Sequence, residues 1–287
     1  MNTIGTSTIG TSWRHKYFSA TLQHVLKHAL VCEKICMVDN TDIKYIFNPY
    51  SSQPTATVQA IAGTYSVSAY TVTDDSLTVD NEVIYSEHIY DFERVMNNYD
   101  LMADRVEEMS YAIAFGIDQY VLNGLTADGT STYSAPVGSF TTASNINQMI
   151  GDLSGKVMGY ADTYKGLFLV IENTDVTGFL QAMVSNGFTF ADAALNNGWM
   201  GNYMGVEIYV VRSGTFSGST IGTRTFTNTG HRVFGVKEVA TYASPRNIQY
   251  EEKGITAATG KEIAVYGYVG FKLWTQKAPL IVNITLN

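Results

Sequence analysis

The sequence predicts an α+β fold in which a long helix follows an extended ribbon and a strand-rich segment completes the chain. Apolar residues recur at spacings of three and four from Asp91 to Asn123, as on one face of a helix. Apolar and polar residues alternate from Thr55 to Ile89, as they do along strands. Short apolar runs bounded by turn residues recur after residue 166, which indicates further strands.

The first 54 residues predict a polar arm and a leading helix. Thr3–Ser7 is copied directly as Thr8–Ser12, a small polar repeat that favours a flexible or extended segment. Such an arm can lie on a neighbouring subunit, or it can be a frayed end. From Phe18 to Ile35 apolar residues recur at helical spacing, and Asn40 and Asp42 are expected to end this helix.

A possible metal site on this helix fails on geometry. His24, His28, Cys32 and Cys36 recur every four residues, so the first and last lie ~18 Å apart along the helix axis. One tetrahedral zinc ion cannot take all four, and a neighbouring pair lacks further ligands. We therefore predict no metal site and no cofactor. The two cysteines would hold their Cβ atoms ~5–6 Å apart, too far for a disulfide, which fits a reducing compartment.

The alternating segment from Thr55 to Ile89 predicts a two-stranded hairpin. Val58 and Val67 belong to its outgoing half, and Leu77 belongs to its return half. The sequence Asp74-Asp75-Ser76 has turn-forming chemistry and is expected to connect the two halves.

The helix from Asp91 to Asn123 is the clearest element of the sequence. It spans ~33 residues and ~50 Å. Asp91 is the expected N-cap, and Asn123-Gly124 is the expected stop. Its apolar stripe contains Phe92, Val95, Met96, Tyr99, Met102, Val106, Met109, Ile113, Ile117, Tyr120 and Val121.

The opposite side of this helix carries the carboxylates Asp104, Glu107 and Glu108. Because no histidine or metal-ligand spacing accompanies them, a solvated or partner-facing side is favoured over acid–base chemistry. A long core helix of an ordinary domain is the alternative interpretation of the whole element.

The remaining elements follow from short patterns, separated by glycine-, serine- and threonine-rich loops at 126–144 and 214–230. Gly198–Gly205 is rich in glycine but leads into a strand, so it predicts a turn rather than a phosphate-binding loop. The predicted helices are Ile146–Tyr160 and Thr174–Ser185, and the predicted strands are Leu167–Glu172, Gly205–Val211, Val233–Val236, Val239–Tyr242, Glu262–Thr275 and Leu280–Leu286.

Composition excludes several classes of protein. The net charge of −8 argues against a protein that coats DNA or RNA, which would usually carry a basic patch. No apolar run reaches the roughly 18 residues of a membrane span, and the N-terminus lacks the pattern of a signal peptide. The 19 tyrosines and 13 phenylalanines suit an interface or a strand-rich fold equally well.

An enzyme remains the alternative from a different functional class. It would use an α/β core around Leu167–Val211, and His231 and Arg232 near Glu238 are its only faint candidate residues. Surface ion pairing is the favoured interpretation of these three. No nucleotide-binding, metalloprotease or hydrolase motif is present, so no catalytic, cofactor-binding or metal-binding residue is assigned.

Several segments, in this order, resemble major capsid proteins of tailed bacteriophages with the Hong Kong 97-type fold. The most specific are DSLTVDNEVIYSEHIYDFE (75–93) and LMADRVEEMSYAIAFGIDQYVL (101–122), followed by NNGWMGNYMGVEIYVV (196–211) and EIAVYGYVGFKLWTQKAPLIVNITL (262–286). The resemblance implies an N-terminal arm and leading helix in 1–54, an extended β-hairpin loop in 55–90, and a spine helix with peripheral domain in 91–165. An axial domain in 166–240 and return strands of the peripheral domain in 241–287 complete the implied order.

The resemblance implies a structural protein rather than an enzyme. Its copies would form hexamers and pentamers of an icosahedral shell that encloses double-stranded DNA, located in the virion and assembled in the host cytoplasm. The implied partners are other copies, portal, scaffolding and decoration proteins, and packaged DNA through non-specific contact, with no membrane. Because no long charged helical segment precedes the arm, scaffolding is expected to be a separate protein, or a segment that is absent or removed.

Two further expectations accompany the resemblance. Arg14, His15 and Lys16 could meet DNA phosphates, although acidic residues of a neighbouring subunit are favoured. A tail or decoration protein is the alternative within the virion, but such proteins are mostly strands, and the long helix argues against them.

Overall fold

The structure is a computed structural model that describes residues 30–41, 44–51, 69–91, 101–136, 139–159, 166–185, 199–245, 249–254 and 259–286, without 141 and 228, and also residues 56, 58, 61, 63 and 67. The predicted repeat at Thr3–Ser12, the basic residues Arg14, His15 and Lys16, and most of the predicted helix from Phe18 lie outside these residues.

A six-stranded mixed sheet forms one half of the described fold. Its strands are β7 (Ser131–Ala135), β8 (Leu167–Glu172), β9 (Trp199–Tyr203), β10 (Val206–Val211), β13 (His231–Val236) and β17 (Ile281–Leu286). Their order across the sheet is β7-β17-β13-β8-β10-β9, with parallel pairs β7·β17 and β8·β10 and antiparallel pairs elsewhere. Every residue of the central β8 is buried, as expected of the apolar run LFLVI that forms most of it.

A second sheet has the long strand β16 (Gly260–Leu273) at its centre. The first part of β16 pairs antiparallel with β6 (Asn81–Tyr90) and with β15 (Gln249–Gly254). Its last part pairs with β14 (Ala240–Ala243), which in turn pairs parallel with β1 (Met37–Asp39). The shorter strands are β2 (Tyr45–Phe47), β3 (Tyr50–Ser51), β4 (Val72–Thr73), β5 (Ser76–Thr78), β11 (Thr220–Ile221) and β12 (Arg224–Thr225).

The described helices differ widely in length, from 4 residues in the first to 28 in the longest. They are α1 (Cys32–Ile35), α2 (Leu101–Asp128), α3 (Ala143–Met158), α4 (Val176–Ser185) and a 3-10 helix (Thr275–Leu280). Helix α3 packs on α4 and on β7, β13 and β17, so it covers the six-stranded sheet. The predicted leading helix was expected to continue towards Asn40, but α1 ends at Ile35 because Cys36 is extended and β1 begins at once.

Helix α2 connects the two sheets and confirms the predicted long helix. It contacts β6 and β16 of one sheet and β13 and β17 of the other. The predicted stripe is buried at Met109, Ile113, Ile117, Tyr120 and Val121, within one continuous core that both sheets share. The predicted start at Asp91 adjoins residues 92–100, which the structure does not describe, so the N-cap stays a prediction.

The predicted stop at Asn123-Gly124 is wrong, since α2 continues to Asp128. The Asn123 side chain donates to the Gln119 carbonyl one turn back and to the Thr215 carbonyl of a neighbouring loop, so it is bonded inside the helix. A Cβ atom on Gly124 would lie 2.6 Å from two ring carbons of Phe271 on β16. The glycine therefore allows close contact between helix and sheet, and it does not mark the end of the helix.

The other predicted elements are confirmed with small shifts of their ends. The predicted helices at 146–160 and 174–185 correspond to α3 and α4, and the predicted strands correspond to β8, β10, β13, β14, β16 and β17. Within the predicted glycine turn, Trp199–Tyr203 forms β9 and pairs with β10. The turn itself lies at Met204 and Gly205, whose φ angles of 54° and 80° fit a type I′ hairpin.

Candidate assembly surface

An extended hairpin is present, but its strands begin earlier than the sequence predicted. β2 pairs antiparallel with β5, and β3 pairs antiparallel with β4. Hydrogen bonds from Asn48 N to Asp75 O and from Val79 N to Lys44 O continue the same register between and beyond these ladders. Residues 44–51 and 72–79 therefore form one ribbon. We call residues 44–79 the strap.

The predicted turn at Asp74-Asp75-Ser76 is wrong, because these residues lie within the return strand of the strap. A turn occurs instead at Ile61, midway between the two halves of the ribbon. Asp75 is only 7% exposed, and it accepts hydrogen bonds from Thr275 near the end of the chain. After the strap, the chain enters β6, which pairs antiparallel with β16.

The far part of the strap exposes large apolar side chains. Val58 is 99% exposed, Val67 is 86% exposed, and Ile61 and Tyr70 are also open to solvent. Nearer the body, Phe47 is 71% exposed. A single chain gains no hydrophobic stabilisation from these side chains while they face water. The strap is therefore the candidate assembly surface.

Two of the three carboxylates on the polar side of α2, Glu107 and Glu108, have polar partners within the chain. Arg105 bridges Glu87 of β6, with its Nε 3.0 Å from the carboxylate, and it also pairs with Glu108 one turn along. Glu107 accepts a hydrogen bond from the Tyr111 hydroxyl at 3.2 Å. The side chain of Asp104 lies outside the described residues. Arg105, which also pairs with Glu108, thus connects β6 to the helix through Glu87.

The three residues of the enzyme alternative do not converge on one site. His231 and Arg232 are consecutive on β13, so their side chains lie on opposite faces of the sheet. His231 Nδ1 is 2.7 Å from Asn283 Oδ1 on β17. Glu238 lies in the turn beyond the far end of β13, where its backbone N–H donates to the Ile35 carbonyl.

The expected surface ion pairing of Arg232 is wrong, because this side chain is only 5% exposed. Its Nε lies 2.6 Å from Asp175 Oδ2, and its Nη2 lies 3.2 Å from Glu172 Oε2. Glu172 Oε1 also accepts the backbone N–H groups of Gly214 and Phe216. The cluster thus joins the ends of β8 and β13 to the loop after β10.

A second polar connection joins the short β11–β12 hairpin to the body. Asn81 of β6 donates to the Tyr120 hydroxyl at 2.9 Å and accepts from Thr223 N at 2.7 Å. Arg224 forms a two-bond ion pair with Asp128 at the end of α2. Burial, reinforced by the charge of Asp80, raises the pKa of Tyr120 to about 12. This hairpin therefore lies against the end of β6 where the strap returns.

The two cysteines are buried free thiols, as expected from their spacing. Asp118 of α2 accepts hydrogen bonds from the backbone N–H groups of Val31 and Cys32, at 2.8 and 2.9 Å. Burial first, and the charge of Asp118 second, raise the pKa of both thiols above the ordinary value. Helix α1 is thus attached to α2 through one buried carboxylate.

We expect Asp118→Ala to release α1 and make the thiols reactive. Loss of an acceptor for buried N–H groups costs about 1–3 kcal/mol, so labelling by a disulfide reagent should accelerate about tenfold or more. The measurement is the labelling rate of the folded protein. Asp152→Ala on the exposed side of α3 is the control, and thiols that stay unreactive in Asp118→Ala would show that this carboxylate does not hold α1.

The described residues contain neither a cluster of metal-binding side chains nor a helix suited to a membrane. Among the described residues, no group of three or more His, Cys, Asp or Glu side chains is placed to bind a metal ion. His24 and His28 lie outside those residues. No helix in the described part of the chain is long and apolar enough to cross a membrane.

Comparisons with known proteins give matches in structure only. No protein-family model matches the chain, and no curated protein matches it in sequence. A structure from Mycobacterium phage Che8 aligns with a TM-score of 0.70 at 17% identity, over 94% of this chain and 96% of that chain. The capsid of Myoviridae phage XM1 aligns with a TM-score of 0.68 at 14% identity, over 95% and 97%. The capsid structure of cyanophage P-SCSP1u aligns with a TM-score of 0.67 at 13% identity, over 96% of this chain and 94% of that chain.

The protein has the Hong Kong 97-type capsid fold. The matches extend over nearly the whole of each chain, so they reflect a shared overall fold rather than a single common motif. At these levels of identity the comparison establishes the fold alone. The sequence resemblance is therefore confirmed for the fold, and the division into domains stays a prediction.

Proposed function

We propose that this protein is a major capsid protein whose copies form hexamers and pentamers of an icosahedral phage shell around double-stranded DNA. The observation that carries the proposal is the strap. Its root, which we define as residues 44–47 and 75–79, is bonded to the body, and its far part exposes Val58, Ile61, Val67 and Tyr70. Two of the matched structures are phage capsids by name, which supports the same function.

The physical role of the strap follows from its apolar exposure. Burying apolar surface contributes about 25 cal/mol per Å², so side chains exposed in one chain stabilise an assembly when a second copy covers them. A shell repeats each such contact in every subunit, so interfaces that are weak singly give a stable particle together. The acidic net charge fits a wall that encloses DNA without adhering strongly to it.

The remaining partners belong to the same proposal. Portal and scaffolding proteins, a decoration protein and packaged DNA would meet the shell in the virion, and the shell would assemble in the host cytoplasm. The basic residues Arg14, His15 and Lys16 are proposed to contact acidic residues of a neighbour in preference to DNA. The contacts of Arg105 with Glu108 and with Glu87 support a structural role for this face of α2, which holds β6.

Sedimentation and electron microscopy of strap variants test this function. We expect the full-length chain to form large particles or capsomers, and Val58→Asp combined with Ile61→Asp to leave small species with an unchanged thermal midpoint. Both side chains are exposed in the single chain, so the substitutions should spare its fold.

A matched control separates the strap from a general effect of charge. Val184 on α4 and Met158 on α3 are 65% and 50% exposed and lie outside the strap, so Val184→Asp combined with Met158→Asp adds the same two charges elsewhere on the surface. We expect this control to assemble. Particles formed by the strap variant as efficiently as by the natural chain would contradict the role of the strap.

A further inference from the structure

The root of the strap rests on a short segment near the end of the chain. This segment, residues 270–276, includes the last part of β16 and the start of the 3-10 helix, and we call it the seat. A Cβ atom on Gly270 would lie 2.9 Å from the Thr78 carbonyl oxygen and 3.0 Å from side-chain atoms of Leu77 and Val79. Only a glycine lets the return strand of the strap approach β16 this closely.

A small separate core holds the strap root from one side. Leu77 of the strap is buried with Ala243 and Trp274, and Ile46 and Val79 pack against them. This cluster is distinct from the continuous core that the two sheets share. The Trp274 indole N–H donates to Thr241 Oγ1 at 2.9 Å, which fixes the ring that Leu77 contacts. The strap root is therefore packed independently of the main core.

The buried carboxylate of Asp75 also bonds the strap root to the seat. Asp75 Oδ2 accepts the Thr275 backbone N–H at 3.0 Å and the Thr275 hydroxyl at 2.9 Å, and Asp75 Oδ1 pairs with Lys272 Nζ at 2.8 Å. Burial alone would raise the pKa of Asp75, but the bonds from Lys272 and Thr275 outweigh it and lower the pKa. The ionised form is thus the one that these donors hold. Further out, Gln276 Nε2 donates to the Ser51 carbonyl.

We infer that Asp75 and the seat form a clasp that fixes the direction in which the strap leaves the body. The clasp joins residues about 200 positions apart in the chain, and the hydrogen bonds of Asp75 fall at the root of the strap. Because its root is fixed, the ribbon leaves the body at a set angle. The next step rests on the proposed function: this angle determines where the apolar far part of the strap contacts the next subunit, and so it influences the curvature of the shell.

Hydrogen exchange of Asp75→Asn tests the clasp on the protein itself. The amide keeps the size of the side chain but presents an N–H₂ group to donors, so charge-assisted bonds are lost. We expect the amides of Asn48 and Val79, which carry the ribbon hydrogen bonds, to exchange at least about tenfold faster. Amides of the six-stranded sheet should keep their protection.

Asp74→Asn is the matched control, because Asp74 is adjacent to Asp75 and exposed. In Asp74→Asn, the ribbon amides should exchange at the same rates as in the natural chain. If Asp75→Asn does not fold, Thr275→Val removes one donor with little change of shape and should produce a smaller acceleration confined to the ribbon. Ribbon protection that is unchanged in the folded variants would overturn the clasp.

Particle size tests the consequence for assembly separately. We expect Asp75→Asn to give a broader distribution of shell diameters than Asp74→Asn, an effect that a general loss of stability in the six-stranded sheet would not produce. Equal distributions from the two variants would overturn the link between clasp and curvature. A natural chain that forms no shells contradicts the proposed function, while the exchange experiment still decides the clasp.

Discussion

Replacing Arg232 by Met should lower the free energy of unfolding by about 3–5 kcal/mol, the largest loss that we expect from a single substitution. Met keeps much of the length and apolar stem of Arg but removes the charge between Glu172 and Asp175, whose side chains are each 10% exposed. Two carboxylates would then remain buried without their cation. Urea unfolding of the natural and variant chains measures the difference.

The control for Arg232→Met is a cation in an exposed pair. Lys253 pairs with Glu251 on the edge strand β15 and is 66% exposed, so Lys253→Met should leave the unfolding midpoint unchanged. Adding Glu172→Gln and Asp175→Asn to Arg232→Met should restore part of the lost stability, because the uncompensated charges disappear. A loss below about 1 kcal/mol in Arg232→Met would show that the cluster is not a structural ion pair.

Replacing Gly124 by Val should destabilise the protein by about 1–3 kcal/mol through overpacking. The first added carbon already meets the Phe271 ring at 2.6 Å, and the ring is largely buried on β16. Helix propensity favours Val over Gly by a few tenths of a kcal/mol, which is too little to offset this clash. The thermal or urea midpoint is the measurement.

Gly151→Val is the matched control, since Gly151 also lies inside a helix but nothing surrounds its added Cβ within 4 Å. This variant should be close to neutral. Equal losses of stability at the two positions would show that backbone conformation, and not contact between α2 and β16, explains the effect of replacing Gly124.

Periodic segments were predictable because burial leaves a regular pattern. LFLVIE gave a central strand, and the stripe through Met109, Ile113 and Ile117 gave the long helix, since one face of each element meets the core. The resemblance of four segments, in their order, to capsid proteins predicted the fold, which the matched structures confirm.

Positions whose role depends on distant parts of the chain were misjudged. Asp75 has turn chemistry in its local sequence, but Thr275 and Lys272 make it a buried acceptor. Asn123-Gly124 has the local sequence of a helix stop, but the missing side chain of Gly124 makes room for the Phe271 ring. Neither partner is visible from local spacing, because contacts formed across a sheet leave no periodic signal.

For the candidate assembly surface, the sequence predicted an extended hairpin correctly but placed its strands and its turn at the wrong residues. Alternation correctly indicated an extended hairpin, but the strand beginning at Tyr45 is too short and too mixed to show a period of two. Arg232 was expected at the surface because charged side chains usually are, and only the three-dimensional structure places Glu172 and Asp175 beside it.

Cryo-electron microscopy of particles formed by the full-length chain tests the shell assignment most directly. We expect closed shells in which each strap lies across a neighbouring subunit and buries Val58 and Ile61 there. A protein that remains monomeric at high concentration, with its strap folded onto its own body, would contradict the proposed function.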